Sequence, residues 1–395
     1  MLSQFSKRLI VIASLLVVTV LLGIVIGQTR EKSDVLKGID LFGETLYYVK
    51  NRYVETVNDD KIFKGALHGL AENLDPESFF LEPAEYELYL QSGNKFPQDN
   101  IGIGIIKVAR FLRVISVEPG SPAAKAGLEI GDILTHIEGR AGFDLSIFQT
   151  YMLLAGKQGT KVSIDISKNN TGIEKKLDII RNPFAMTLSV SDTFSGGIHY
   201  ISLRHFYPED IDELKKIISK ISGQPVIIDL RQNYYGSREG LTAALDMFIG
   251  EGILFKEEKS KKTVKDYESK PDKLMFSPLP CVIVDESTCH FAEIFSAVLA
   301  EKKLIKLHGR QTRGLIGIQT AVPVQKKGAM YLTTEIFLTP DANNFYLKGI
   351  KPEIEITLEP DAAGKFIQVK SDKGMIERKD PMLAKVLELT AQKPK

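Results

Sequence analysis

The chain has little that would commit it to nucleic acid, to a disulfide scaffold or to a metal. Its 395 residues carry 51 lysines and arginines against 50 aspartates and glutamates. That balance builds no field to gather phosphates. There is also no basic run with interleaved aromatics and no acidic tail, so no nucleic-acid partner is expected. Only two cysteines occur, Cys281 and Cys289. An extended strand from Cys281 followed by a turn carries the two Cα atoms well past the ~7 Å that a disulfide spans. Two free thiols are the expectation. No Cys/His cluster has zinc-ligand spacing, so neither a metal nor another cofactor is called for.

What the chain does have begins at its N-terminus. Met1 to Arg8 ends in Lys7 and Arg8, and Leu9 to Gly27 is then uncharged and almost wholly aliphatic. At about 1.5 Å per helical residue, that run can cross a hydrocarbon core of roughly 30 Å. Secretory apolar regions are shorter, about 7–15 residues, and end in a small-residue cleavage site. Gly23-Ile-Val-Ile-Gly27 is a poor one. We read 1–8 as a cytoplasmic segment and 9–27 as an uncleaved, single-pass signal-anchor in the inner (cytoplasmic) membrane. The main body then lies in the periplasm or another extracytoplasmic space. A cleaved signal peptide is the alternative, and the flanking charge bias is mild.

The rest divides into four stretches. Residues 33–95 read as helical: Leu36, Ile39, Phe42, Leu46 and Val49 recur at helix-like spacing, and Ile62, Ala66, Leu67 and Leu70 continue it. Asp75-Pro76 interrupts the pattern and Pro83 restarts a short helix. In residues 96–182, Ile101–Ile106 is a strand opened by glycines and Arg113–Val117 alternates. Asp144–Leu154 is a helix, and Gly159–Ile166 is the last strand. Residues 183–360 alternate strand and helix. Ile198–Leu203, Val226–Leu230, Val282–Val284 and Ile305–Leu307 are strands, with helices Glu209–Ile221, Gly240–Ile249 and Ala292–Glu301 between them. Hairpin strands follow at Ile318–Val324 and Met330–Phe337, completing a layered α/β core. Residues 361–395 are a tail, partly helical from Met375.

Gly120-Ser-Pro-Ala-Ala-Lys-Ala-Gly-Leu128 followed by Gly131-Asp-Ile-Leu134 resembles a PDZ domain. Such modules add an extended peptide to a sheet edge and hold its terminal carboxylate in a nest of backbone N–H groups. Gly102, Ile103, Gly104 and Ile105 match the peptide-binding loop, where a missing Cβ lets a chain terminus approach. The resemblance places the peptide between the following strand and the Asp144–Leu154 helix. A groove that binds nothing remains the alternative.

A wider resemblance runs from about Ser33 to Thr357, to the carboxy-terminal processing (tail-specific) serine peptidases. It rests on the lead-in Gly65–Leu81, where that family writes Leu-Asp-Pro-His-Ser, and on Ile227-Ile-Asp-Leu-Arg-Gln-Asn233. Gly309–Gly314 with Gln319, and Gly349–Ile354, carry it further. The implied fold class is α/β: a helical N-terminal region, an inserted PDZ domain and a layered peptidase-like core, behind one membrane helix. In that family a serine attacks the scissile carbonyl, a desolvated neutral lysine takes its proton, and a backbone oxyanion hole holds the intermediate. Aligned on Glu293-Ile294, the serine falls on His290. The lysine falls on Leu315, and its companion glutamine is retained as Gln319. The family's Asn-Pro-Gly-Gly reads Asn233-Tyr-Tyr-Gly236, so Tyr235 takes the oxyanion position and only Gly236 remains.

The resemblance with these departures implies a membrane-anchored homologue with no intact catalytic set. It would bind protein C-terminal tails as an adaptor or regulator. Cys289 is a chemically possible alternative nucleophile, although it needs a base and an oxyanion site. The competing expectation is therefore an active serine-type or Cys289-dependent endopeptidase that processes C-termini in the periplasm. A third is a purely structural envelope protein. Because family members associate through their helical N-terminal region, a homo- or hetero-oligomer with an active relative is implied. His290 reads as a partly buried packing residue, and Asp229 and Arg231 as hydrogen-bonding groups at a strand end.

Overall fold

The computed structural model describes residues 34–94, 101–168, 173–186, 190–194, 196–221, 223–260, 262–269, 279–325, 328–357, 367–371, 374–378 and 380–391. The Leu9–Gly27 run lies outside them. No helix among the described residues is long and apolar enough to cross a membrane. The chain forms two compact units, up to Ala66 and from Leu67 onward. In the first, helix α1 (Asp34–Arg52) buries none of its residues, and Lys50 pairs with Asp59 at 2.7 Å.

Helix α2 (Asp59–Glu72) ends before Asp75, whose carboxylate accepts from the Glu77 and Ser78 amides at 2.8 and 2.7 Å. This turn sets Glu77. The helical reading of the lead-in then needs a correction: Phe79–Leu81 is a strand, β1, ahead of helix α3 (Pro83–Gln91). All three of its side chains are buried, and it pairs antiparallel with the strand Ala329–Leu338, Phe79 opposite Tyr331. Distant pairing overrides local helix propensity here.

The next module is a six-stranded sheet ordered β2-β3-β4-β6-β7, with β5 on β4. Its strands are β2 (Ile103–Val108), β3 (Phe111–Val117), β4 (Ile133–Ile137), β5 (Arg140–Ala141), β6 (Lys161–Ser167) and β7 (Glu174–Ile180). Strand β7 lies within the expected 96–182 module but follows Gly159–Ile166, the strand expected to be its last. Only Leu177 and Ile179 of it are buried, and Glu174-Lys-Lys176 hides the alternation. Helix α4 (Pro122–Ala126) is capped by Ser121 and closed by Gly127 at φ 83°. Helix α5 starts at Ile147 rather than Asp144, because Ser146 and Gln149 form a capping box, and it runs to Leu154. It packs against β2, which is the sheet's edge.

The core is an eight-stranded sheet ordered β19-β16-β15-β11-β9-β8-β20-β21. In chain order its first strands are β8 (Val190–Phe194) and β9 (Ile198–Ser202). The parallel pair β10 (His205–Phe206) and β12 (Tyr235–Gly236) lies apart from the sheet, with β11 (Val226–Asp229) between them in sequence. The hairpin β13 (Ile253–Lys259) and β14 (Lys262–Glu268) belongs to a second sheet. Then come β15 (Cys281–Val284), β16 (Lys306–Gly309), β17 (Gly317–Pro323), β18 (Ala329–Leu338), β19 (Ile354–Glu355), β20 (Ile367–Ser371) and β21 (Gly374–Arg378). The second sheet is β1-β18-β13-β14, with β17 on β18.

Helices α6 (Pro208–Lys220), α7 (Arg238–Asp246) and α8 (Phe291–Glu301) cover one face of the main sheet, and α9 (Pro381–Ala391) covers the other. Strand periodicity divides the layers: Val226, Ile228 and Leu230 face α6–α8, whereas Ile227 packs with Met382, Leu383 and Val386 of α9. Each such buried side chain contributes about 1.5–3 kcal/mol. Arg231 ties the second layer down, donating to Asp229 at 2.9 Å and to Asp380 at 2.6 and 3.0 Å.

Candidate functional site

Strand β15 buries all four of its residues, and the chain then turns within a few residues into α8. Thr288 fixes the turn by donating its hydroxyl to Leu230 O at 3.0 Å and its amide to Asp285 O at 3.0 Å. His290 sits at its apex with φ 49° and ψ −116°, a left-handed conformation that costs a residue with a Cβ on the order of 1–3 kcal/mol. Strand, strained apex and helix together are the geometry by which a nucleophile is lifted clear of the backbone.

Three segments meet at this apex. Cys289 N–H donates to Asn233 O at 3.0 Å, and His290 N–H donates to Leu315 O at 2.9 Å. The loop carrying Leu315 is held from α8 as well, since Glu293 accepts from Gly314 N–H at 2.6 Å. Burial pushes the Glu293 carboxyl up to about 7. The positions that the peptidase resemblance singles out are thus neighbours.

Their side chains are arranged around a residue that the sequence reading missed. His290 Nε2 lies 3.1 Å from one oxygen of Glu77, and Gln319 donates to the other at 3.0 Å. His290 is therefore a partly buried side chain that pairs with a carboxylate as well as packing against its neighbours. Burial acts to lower its pKa, but the Glu77 charge and hydrogen bond outweigh that and raise it. Glu77 occupies the histidine of the family's Leu-Asp-Pro-His-Ser, which is the one signal that could have found it. The ring of Tyr234 meets His290 edge-on, 4.8 Å between centroids.

Leu315 and Cys289 lie to the side, in an apolar cluster with Ile106 and Ile115 of the β2–β3 hairpin. Cys289 is 0% exposed, and burial holds its thiol well above its ordinary pKa. Gly236 has no room for a side chain: a Cβ would stand 2.6 Å from that of Phe206. Its neighbour Tyr235 points toward the PDZ-like module and donates to Ile103 O at 3.3 Å.

A second seam joins the two modules. His205 lies 3.1 Å from Glu118 and 3.6 Å from Asp210, and Arg204 donates to Val117 O at 3.0 Å. Burial acts to lower the pKa of His205, but the two carboxylates together hold it at about 9.

Between the seams opens a cavity of about 710 Å³. Gly102, Ile105, Ile147 and Tyr151 of the expected peptide groove line it, together with Glu77, Tyr235, His290 and Gln319. The described lining residues include no serine, threonine, cysteine or lysine. Gly102 (φ 88°) and Gly104 are packed tightly, since a Cβ on either would fall 2.3 or 2.4 Å from Ser121 or Ser116. Among the described residues no His, Cys, Asp and Glu group could hold a metal ion.

Residues 197–356 match Peptidase family S41, and residues 100–179 match the PDZ domain. A carboxy-terminal-processing protease of Bartonella bacilliformis is 26% identical over 337 residues, 83% of this chain and 77% of that protein. The carboxy-terminal processing protease CtpA of Bacillus subtilis is 26% identical over 343 residues, 86% and 73% of the two chains. The solved photosystem II D1 C-terminal processing protease shares the fold, with a TM-score of 0.63 and 19% identity over 81% of this chain and 87% of that one. With its mixed α/β core and inserted PDZ domain, the chain belongs to the carboxy-terminal processing peptidase family.

Proposed function

We propose that this chain is a non-hydrolysing member of its family, one that holds protein C-terminal tails in its PDZ groove as an adaptor or regulator. The observation that carries this reading is the Glu77–His290–Gln319 arrangement at the apex, in a cavity whose described lining includes no serine, threonine, cysteine or lysine. An imidazole bound to a carboxylate can move a proton, but acyl transfer also needs a nucleophile and an oxyanion site. Cys289 fits that role poorly, because a buried thiol with a raised pKa supplies little thiolate. The groove opens into the same cavity, so a bound tail would be presented at a site without the chemistry to cut it. We further propose that Leu9–Gly27 anchors the chain in the cytoplasmic membrane with its body outside the cytoplasm, and that it assembles with itself or an active relative.

Tail binding is tested with the full chain and paired peptides that differ only in a free or an amidated C-terminus. The expected result is saturable binding of the free acids and at least tenfold weaker binding of the amides. Equal binding of both would remove the carboxylate-recognition reading. Amidation is the better probe, because a bulky residue at Gly102 or Gly104 would disturb the backbone itself.

A further inference from the structure

The edge of β2 is where a peptide would add, and its backbone groups there already have partners. Ile105 N–H donates to the Tyr151 hydroxyl at 3.2 Å, and the Tyr235 hydroxyl donates to Ile103 O at 3.3 Å. The two hydroxyls also bond to each other. One N–H and one C=O on the same side of a strand are what an added strand or a terminal carboxylate would use. Tyr151 comes from α5, the other wall of the groove, whereas Tyr235 comes from the core loop. Tyr234 stands beside it, its ring 5.0 Å away and 3.4 Å from where a Gly104 Cβ would lie.

We propose that Tyr235 caps the PDZ strand edge from the core, so that any tail adding to β2 must first displace it. The residue at the family's oxyanion position thereby acts as a gate on the binding groove. The proposal rests on the tail-binding reading for its ligand, but the cap itself does not. A free edge would invite non-specific strand addition, and a half-buried tyrosine hydroxyl satisfies it reversibly. The cost to the ligand is the lost hydroxyl–carbonyl bond and the movement of one ring. Specificity follows, because only a tail making more than those contacts can open the groove.

The test uses the full chain with Tyr235→Phe and Tyr235→Ala, and the same free-acid peptides. Removing the hydroxyl alone weakens the cap without changing the ligand's own contacts. Tyr235→Phe should therefore bind about two- to tenfold more tightly, the range a net hydrogen bond supplies. Without peptide, amide exchange of the segment around Ile103–Ile105 should speed up several-fold in Tyr235→Ala. Tightened binding or faster exchange supports the cap. Faster exchange with no peptide binding in any form keeps the cap and removes the tail-binding reading. Equal affinities and equal exchange in all three forms overturn the cap, and measurable binding in that case leaves tail recognition standing.

Discussion

At His290 the backbone and the side chain answer to different requirements. The φ of 49° belongs to a turn that presents a reactive atom, yet the imidazole is tied to Glu77 at 3.1 Å. In Glu77→Gln burial is opposed only by the charge of Glu293, the weaker of the two carboxylate effects, so the pKa of His290 should fall below its raised value. The lost charge-assisted bond should cost about 1–3 kcal/mol. An NMR titration of His290 and urea denaturation would show both, and an unmoved titration would mean that the pair does not form in solution. His205 gives a second prediction. Its folded pKa of about 9 stands above the ordinary 6.5, so its contribution is fully present below pH ~6.5 and disappears as pH rises through about 9. That loss is about 3 kcal/mol for the wild type, and His205→Asn should flatten the slope over the same window. Denaturation midpoints between pH 6 and 10 measure it. A wild-type slope that is already flat would contradict the buried Glu118–His205–Asp210 arrangement.

Among the elements, the loop bearing Leu315 is held by packing. Leu315 is 1% exposed and clusters with Cys289, Ile106 and Ile115, joining nucleophile turn, base loop and PDZ hairpin through apolar contact. Leu315→Ala should cost about 2–5 kcal/mol in a melting experiment, and a cost below 1 kcal/mol would mean that the cluster is not closed. Much of this architecture is legible in sequence. Val226 to Leu230 is a nearly continuous apolar run because both its faces are buried, each on a different helix layer, and the α6 and α8 helices follow their apolar spacing. Strand β1 is not legible: three consecutive apolar residues carry no period, and only register with β18 makes them a strand. The β13–β14 hairpin is hidden because lysines, glutamates and an aspartate fill most of it, and only Leu254 and Phe255 near its start are buried in the main core. Of the site, His290, Leu315 and Tyr235 stand out as departures from a family pattern. The Glu77 contacts do not, because they join the lead-in to segments more than two hundred residues away.

For the whole molecule, the apolar Leu9–Gly27 run predicts location. Expressed in a bacterium from Met1, the chain should stay with the membrane fraction through alkaline washing and be open to protease added outside the cytoplasmic membrane. Recovery as a shortened soluble form would instead mean a cleaved signal peptide. We propose that a peptidase fold has been kept with its chemistry removed, its PDZ groove opening into the site cavity. The most direct measurement is intact mass spectrometry of a protein substrate with an unstructured C-terminal tail, incubated with the purified full chain. No shortening of the tail is expected over hours, in wild type and in His290→Ala alike. Shortening by the wild type that disappears in His290→Ala or Cys289→Ala would contradict the proposal.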